Sequence, residues 1–475
     1  MGQIRKEENR RMEKGIPDIL LLMTDEQKLD TFGYNNSIVK TPNLDGLIQD
    51  SIFFTNAYCS NPSFIPSRAA IATGKYPTVC KCPTYISSLP KEEKTFMSML
   101  RESGYRTACV GKQHFAHSEI NHGYDFELIV DGHSPLGDPE KIAPYLAFLQ
   151  KEGINIRECN DDSLILGGIW KEKDDLHIDS FVGQEGKKWL EQYLGRKENG
   201  NAPWFLTISF PGPHMPYDGE GTSYTDDYRL EDMERAETEE ADLSRKPPHF
   251  MQLNPKAYID RYPDETFRRT KRSYYANMSL IDNQVGQIIS VLKKHNRYDN
   301  TMIIYTTDHG DFMGEFGMVS KAQYLSECLM HIPLFVKPPV KGFIGCEVYD
   351  YVTNIDIAST CLTVAGVTDK LTWDMENHPY NQYWTGEKTA VRDHIFMEAH
   401  DMKAVIENGI KTVYYVGREY GELYDLRSDP FERINLWGDE KYQEVKRKAM
   451  GRIIDQMFRF SPKSFMKWNV DAPEI

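Results

Sequence analysis

Short strand-like runs alternate along the chain with segments whose apolar residues have helical spacing. Residues 19–23 and 302–305 are continuous apolar runs, and residues 105–110 and 204–210 are rich in aromatic and β-branched side chains. These patterns predict buried strands. Residues 42–48, 96–104 and 281–292 carry apolar side chains three and four positions apart, as amphipathic helices do. The alternation predicts an α/β fold with a mostly parallel sheet and helices on both faces.

The pattern changes beyond residue 370. Residues 412–416 and 421–426 predict two antiparallel strands joined by a turn, and residues 441–458 predict a helix. We therefore expect a large α/β domain over residues 1–370 and a smaller α+β subdomain with an antiparallel sheet over residues 371–475. Residues 216–270 contain an acidic run with many prolines and tyrosines, which predicts a long irregular excursion of the first domain near its functional site.

Composition and charge narrow the class of function. The 475 residues include 56 basic and 71 acidic side chains, which gives a net charge of −15. An acidic surface is a poor partner for nucleic acid or for an anionic membrane, so we expect neither. An anionic small substrate remains compatible with this charge, because a pocket can be locally basic.

The cysteines and the N-terminal segment bear on location. Eight cysteines are too sparse for a disulfide framework in a chain of this length, and we expect them to be reduced. The apolar run at residues 19–23 is too short for a signal peptide or a membrane span. The expected location is the cytoplasm, or the periplasm if a leader was removed.

Polar side chains follow several of the predicted strands directly. In open α/β sheets the functional site lies at the carboxyl ends of the strands, so these side chains are expected to meet at one edge. The candidates at strand ends are Asp25, Lys112, His114, His214, Asp308 and His309.

Two of these positions form pairs that suit a metal ion. Asp25 is followed by Glu26, and Asp308 by His309. A mixed set of carboxylates and an imidazole suits a hard divalent cation such as Ca²⁺, Mg²⁺ or Mn²⁺. Taken alone, each pair is also compatible with a turn-capping aspartate.

The order of the motifs resembles that of a known family. Residues 61–74, NPSFIPSRAAIATG, resemble the sulfatase signature, in which Cys or Ser is followed by any residue, Pro, any residue and Arg, with Thr-Gly some residues later. Further segments resemble sulfatase motifs in the family's order, from about residue 18 to residue 436. They are residues 25–27, 41–45, 104–114, 213–216, 308–310, Lys321 and residues 423–436.

The resemblance implies an alkaline-phosphatase-like fold and hydrolysis of a small-molecule or saccharide sulfate ester. In this family the signature Cys or Ser is oxidised to formylglycine by a maturation enzyme. One hydroxyl of the aldehyde hydrate attacks sulfur and expels the alcohol. The second hydroxyl then loses its proton, and the hemiacetal collapses to release sulfate. Such chemistry needs a metal, cations for the sulfuryl oxygens and an acid for the leaving oxygen.

The resemblance also implies roles for individual residues. Asp25, Asp308 and His309 would bind one divalent metal, with Ca²⁺ the first choice, and Glu26 would be a fourth ligand at a position where the family commonly has Asp. The implied catalytic roles follow. Arg68 would orient the nucleophile, Lys112 would bridge it to a sulfate oxygen, His114 would be the base of the elimination step, His214 would protonate the leaving group, and Lys321 would hold the sulfate.

The departure from the family is at the nucleophile, two residues before Pro66, where this sequence has Phe64. Ser63 is adjacent but out of register. Three explanations stay open: a parent protein with Cys or Ser at position 64, a pseudoenzyme that binds an anion without turnover, or chemistry by a metal-bound water. Because Arg68 and the other partner residues are intact, we favour the first. Alternative functions are phosphonate monoester or phosphodiester hydrolysis and non-catalytic anion binding.

Overall fold

The structure is a computed structural model that describes residues 15–115, 121–132, 139–196, 202–236, 243–248, 250, 255–386 and 391–459. Its larger sheet has eight strands in the order β4-β3-β5-β1-β6-β7-β2-β8. All neighbouring pairs are parallel except those made by β7, which runs antiparallel to β6 and β2. The strands are β1 (Asp18–Asp25), β2 (Ile52–Tyr58), β3 (Arg106–Gly111), β4 (Phe126–Ile129), β5 (Trp204–Pro213), β6 (Thr301–Thr307), β7 (Leu334–Lys337) and β8 (Cys346–Thr353).

Helices cover both faces of this sheet. The helices are α1 (Pro42–Ile48), α2 (Phe64–Thr73), α3 (Phe96–Glu102), α4 (Ala143–Lys151), α5 (Ile178–Gly195), α6 (Asp264–Lys294), α7 (Glu327–Met330), α8 (Asp356–Val364), α9 (Gln382–Thr385) and α10 (Gln443–Arg459). Alternate side chains of β1 belong to two hydrophobic cores, one on each face of the sheet. Ile19 and Leu21 pack on the face covered by α2, α3 and α8, and Leu20 packs on the face covered by α1, α4, α5 and α6.

A second sheet lies toward the C-terminus. It is antiparallel, in the order β12-β11-β10-β9, and α10 packs on it. Its strands are β9 (His394–Ala399), β10 (Met402–Glu407), β11 (Ile410–Tyr415) and β12 (Gly421–Asp425). The predicted fold class is confirmed: a mostly parallel sheet between helices, with a smaller antiparallel sheet after it. The domain boundary at residue 370 stays a prediction.

The predicted excursion at residues 216–270 contains only short 3-10 turns before residue 264 among its described residues. Its last residues differ from the prediction because α6 already begins at Asp264. Acidic side chains in the first turn, Asp264 and Glu265, favour that helix start by facing the positive end of the helix dipole. Part of the acidic run lies outside the described residues.

Two sequence expectations concern cysteines and membranes. All eight cysteines lie among the described residues and none is in a disulfide. Within the described part of the chain, the helices include none with the length and apolar character that a membrane crossing requires.

Candidate functional site

The carboxyl ends of four adjacent strands carry most of the candidate residues. Strands β3, β5, β1 and β6 are neighbours in the sheet, so their ends meet at one edge. Asp25 ends β1, and Asp308 and His309 follow β6. Lys112 follows β3, and His214 follows β5. The parallel sheet therefore brings together side chains that are up to 284 residues apart in sequence.

The first group of candidates could hold a metal ion. Ligand atoms of Asp25, Asp308 and His309 all lie within 4.8 Å of one another, and all three side chains are buried. His309 Nε2 lies 3.9 Å from an Asp25 oxygen and 3.8 Å from an Asp308 oxygen. Its Nδ1 is 2.9 Å from the carbonyl of Gly310, a contact that places the proton on Nδ1. Nε2 has no hydrogen-bond partner within the described residues. This donor set fits a divalent cation.

Glu26 belongs to a neighbouring group of side chains. Its Oε2 lies 2.9 Å from the Lys321 ammonium and 3.1 Å from His214 Nε2. Its backbone has a φ of +64°, and its N–H donates to Asp308 Oδ1 at 3.2 Å. Burial raises the pKa of its carboxyl to about 8. The residue predicted as fourth ligand thus forms a second group with Asp25 and His214, beside the Asp25–Asp308–His309 group.

Arg68 joins helix α2 to the strand ends. Its Nε donates to Asp308 Oδ2 at 2.7 Å, and Nη1 donates to the Lys112 carbonyl and to Ser209 Oγ, each at 3.0 Å. The guanidinium is buried, and the two nearby carboxylates of Asp308 and Asp25 outweigh that burial and raise its pKa. Arg68 is therefore held charged, with its guanidinium fixed between α2 and the strand ends.

Lys112 and His114 occupy the loop after β3. The Lys112 ammonium donates to an Asp25 carboxylate oxygen, and burial lowers the pKa of this lysine. Burial, with the charges of Lys112 and Arg68, lowers the pKa of His114 to about 2. The imidazole is therefore neutral at physiological pH, and its Nδ1 has no hydrogen-bond partner among the described residues.

Phe64 lies at the centre of these cations. It is the first residue of α2, and its ring is half-buried. The ring centroid lies 5.6 Å from the Lys112 ammonium and 5.0 Å from the Lys321 ammonium. The imidazole of His114 is 4.6 Å away, centroid to centroid. Ser63, the neighbour out of register, is the buried N-cap residue of α2.

Two buried aspartates that the sequence reading missed hold the loops of the site. Asp131, after β4, accepts from the backbone N–H groups of Gln113 and His114 at 2.7 and 3.0 Å. Asp311 accepts from the N–H groups of Met313 and Ser320 at 2.6 and 3.0 Å. Asp131 fixes the loop of Lys112, and Asp311 fixes the loop of Lys321. Their position after strands at the same sheet edge was the signal that could have found them.

The formal charges of the site balance. Three cationic side chains, Arg68, Lys112 and Lys321, face three carboxylates. Those carboxylates belong to Asp25, Glu26 and Asp308. With these carboxyls counted as ionised and His114 neutral, a divalent cation in the Asp25–Asp308–His309 group would leave a surplus of two positive charges, and protonation of Glu26, whose pKa is raised to about 8, would add a third. That surplus suits a small dianion or an ester anion at position 64.

Comparison with known proteins places the chain among relatives with sulfate chemistry in their names. An arylsulfatase of Clostridium perfringens is 28% identical over 461 residues, covering 90% of this chain and 92% of the relative. A choline-sulfatase of Rhizobium meliloti is 28% identical, covering 90% and 83%. An N-acetylglucosamine-6-O-sulfatase of Bacteroides thetaiotaomicron is 25% identical, covering 95% and 87%.

Solved structures share the fold. A phosphonate monoester hydrolase of Agrobacterium radiobacter superposes with a TM-score of 0.82 at 22% identity, covering 95% of this chain and 97% of that one. The model of the C-terminal region of N-sulphoglucosamine sulphohydrolase matches residues 314–458. The sulfatase family model matches residues 17–367, most of the chain, so the protein belongs to the sulfatase family of sulfuric ester hydrolases.

Proposed function

We propose that this protein is built for metal-dependent hydrolysis of a sulfate monoester, with the nucleophile at position 64. The observation that carries the proposal is the position of the Phe64 ring, within 5.6 Å of two lysine ammonium groups and beside a neutral imidazole. A formylglycine at this position would lie where those cations can reach a transferring sulfuryl group. Family membership supports the reaction class.

The metal would be held by Asp25, Asp308 and His309, with Glu26 close enough to join them. Their oxygen and imidazole donors fit Ca²⁺, Mg²⁺ or Mn²⁺. When bound, the cation supplies positive charge against the sulfate oxygens and makes a hydroxyl at position 64 more acidic. Arg68 neutralises Asp308 and keeps that carboxylate in place.

The remaining side chains either bind the anion or transfer protons. Lys112 and Lys321 stabilise the charge that builds on the sulfuryl oxygens. His214 donates a proton to the leaving oxygen, which releases an alcohol instead of an alkoxide. His114, neutral in the site, accepts the proton that the second hydroxyl of the hydrate loses. Lys112, His114 and His214 are placed by the loops that directly follow strand ends, and Lys321 by the loop of residues 311–321.

Phenylalanine at position 64 has no nucleophilic atom, so the protein with Phe64 should bind its anion without formylglycine-dependent turnover. We infer that a catalytic form carries Cys or Ser there, because the cations and carboxylates around Phe64 are complete. If Phe64 is itself the functional residue, the protein is a pseudoenzyme that binds an anion without turnover. Relatives named for aryl and saccharide sulfates make both classes of ester the first substrates to test.

A second candidate is hydrolysis of a phosphonate monoester or phosphodiester. It is favoured by the TM-score of 0.82 to a phosphonate monoester hydrolase, whose fold this chain matches over 95% of its length. The same cations would bind a tetrahedral phosphonate. Aryl sulfate and aryl phosphonate assayed side by side distinguish the two candidates.

The decisive experiment is Phe64→Cys, produced with and without a formylglycine-generating enzyme. We expect turnover of a sulfate ester only in the co-expressed protein, together with the peptide mass change of thiol to aldehyde. Loss of a covalent nucleophile costs on the order of 10⁶-fold in turnover elsewhere, so the gain should be large. Phe64→Ala, which cannot be oxidised, is the matched control. A matured variant that binds metal and sulfate yet hydrolyses no sulfate ester in a broad panel would contradict the proposal.

A further inference from the structure

Lys246 is a buried cation outside the candidate site. Its side chain is 2% exposed. The ammonium lies 4.8 Å from the ring centroid of Phe250 and 4.5 Å from those of Phe316 and Tyr424. It also donates to the Tyr424 hydroxyl at 2.7 Å and to Glu422 at 3.3 Å. Three rings and one carboxylate thus form a cage that compensates for the lost hydration of the charge.

The parts of the cage come from three separate segments. Lys246 and Phe250 belong to the excursion, and Glu422 and Tyr424 to β12 in the C-terminal sheet. Phe316 belongs to the loop of residues 311–321, which ends at Lys321. One ammonium group therefore holds together the excursion, the C-terminal sheet and the loop that carries a residue of the anion site.

That loop depends on packing for its shape. Phe316 has a φ of +54°, a strained conformation for an aromatic residue, which persists only when its surroundings enforce it. The loop is further attached to the excursion by the Val319 N–H, which donates to the Ala257 carbonyl at 2.9 Å. At its end, Ser320 Oγ and Lys321 Nζ contact the two oxygens of Glu26 at 3.2 and 2.9 Å. A shift at Phe316 would be passed along this short loop to Lys321.

We propose that Lys246 is a positioning residue, which sets the place of the Lys321 ammonium in the anion site through Phe316 and the loop of residues 311–321. The inference rests on the proposed function, in which Lys321 binds the sulfate group. It extends that function by making anion affinity depend on the contact between the excursion and the C-terminal sheet.

The variant Lys246→Met removes the charge and keeps a side chain that packs against the three rings. Glu422 keeps two hydroxyl donors, Tyr415 and Tyr424, so its carboxylate does not become an unpaired buried group. The variant should fold. Lys337→Met is the matched control. Lys337 is also buried against a ring, with its ammonium 4.4 Å from the ring centroid of Tyr298. It pairs with the start of β6, at the opposite end of that strand from the site.

The test is a double-mutant cycle on sulfate affinity, measured by calorimetry in the presence of Ca²⁺. Lys246→Met should weaken sulfate binding about tenfold when Lys321 is present, and less than about twofold in the Lys321→Met background. Lys337→Met should leave the affinity unchanged. Equal losses in both backgrounds, or no loss in either, would overturn the positioning role.

Hydrogen exchange supplies a readout that needs no bound anion. The amides of Met313, Val319 and Ser320 should exchange at least tenfold faster in Lys246→Met than in the wild type, while amides of β1 keep their rates. Unchanged exchange in the loop would refute the proposal even where sulfate binds. Conversely, the wild type could bind no sulfate while the loop of Lys246→Met exchanges faster. That result would show that Lys246 holds the loop, and it would count against the proposed function.

Discussion

The ring of Phe64 lies 4.6 Å from the imidazole of His114, centroid to centroid, at a tilt of 33°. The same ring lies within 5.6 Å of two lysine ammonium groups. Phe64 therefore fills space that the cations of the site would otherwise share with an anion. The ring acts on anion binding in two ways: it occupies volume in the site, and its π face attracts the two lysine ammonium groups.

Removing the ring should strengthen anion binding. In Phe64→Ala the ammonium groups of Lys112 and Lys321 lose their aromatic partner and the site gains room, so we expect sulfate to bind at least tenfold more tightly. That gain is worth about 1.4 kcal/mol and should appear as a larger sulfate-induced rise in Tm. The control is Ile65→Ala, the next residue of α2, which is also half-buried. A sulfate-induced rise that is the same in all three proteins would show that Phe64 does not limit the site.

Metal affinity should depend on Asp308. The substitution Asp308→Asn keeps the size of the side chain and one acceptor oxygen that can face Arg68 but removes a charged ligand, and we expect Ca²⁺ affinity to fall by at least about 100-fold. Calorimetric titration with Ca²⁺, Mg²⁺ and Mn²⁺ measures this and orders the three ions. Asp18→Asn, at the other end of β1, changes a buried aspartate away from the site and should leave metal affinity intact. Unaltered affinity in Asp308→Asn would remove Asp308 from the ligand set.

Esters with different leaving groups can distinguish proton donation by His214 from a role in binding. In matured Phe64→Cys, His214→Asn should lower turnover of an alkyl sulfate by about 10²–10⁴-fold, because an alkoxide leaves poorly without a proton. An activated aryl sulfate, whose phenolate leaves readily, should lose much less. His394→Asn, in β9, is the control for a general effect of histidine loss. Equal losses for both esters would assign His214 to binding instead of proton donation.

Lys337 should make stability depend on pH. Burial lowers the pKa of Lys337 to about 8, from an ordinary value of 10.5 in the unfolded chain. Between these two values the folded protein holds fewer protons than the unfolded one, so the contribution of Lys337 to stability rises with pH. Relative to Lys337→Met, the wild type should gain up to about 3 kcal/mol across this window.

Chemical denaturation at pH 7, 8, 9 and 10 measures that difference. Lys293→Met is the control, because Lys293 lies on the same Tyr298 ring but is exposed. A wild-type advantage that stays constant from pH 7 to pH 10 would contradict the assignment.

The central strands could be predicted because each has a hydrophobic pattern that is visible in its own short stretch of sequence. The run at residues 19–23 is apolar on both faces, and β1 lies between β5 and β6 with helices above and below. In the larger sheet, strands β2, β4, β7 and β8 were missed, and in the smaller sheet β9 and β10 were missed. Strand β7 has four residues and runs antiparallel between β6 and β2, an arrangement fixed by long-range pairing instead of by its own pattern.

The candidate site could be predicted at the level of which residues converge. Strand ends and motif order brought Asp25 and Asp308 to the same edge as Lys112. The orientation of Glu26 toward Lys321 could not be predicted, because it follows from a positive φ and from the shape of a loop that folds back from β6. The supporting roles of Asp131 and Asp311 were missed for the same reason, since their partners are backbone amides.

The long separation between the strand partners has a consequence for synthesis. Lys321 follows position 64 by 257 residues, and β1 cannot pair with β6 until residue 307 has been made. At about 5–20 residues per second, the ribosome needs roughly 13–50 s to add that stretch. During this interval the segment around position 64 lacks the strand that completes its surroundings. A maturation enzyme would have tens of seconds to reach a side chain that the finished fold half-buries among its own cations.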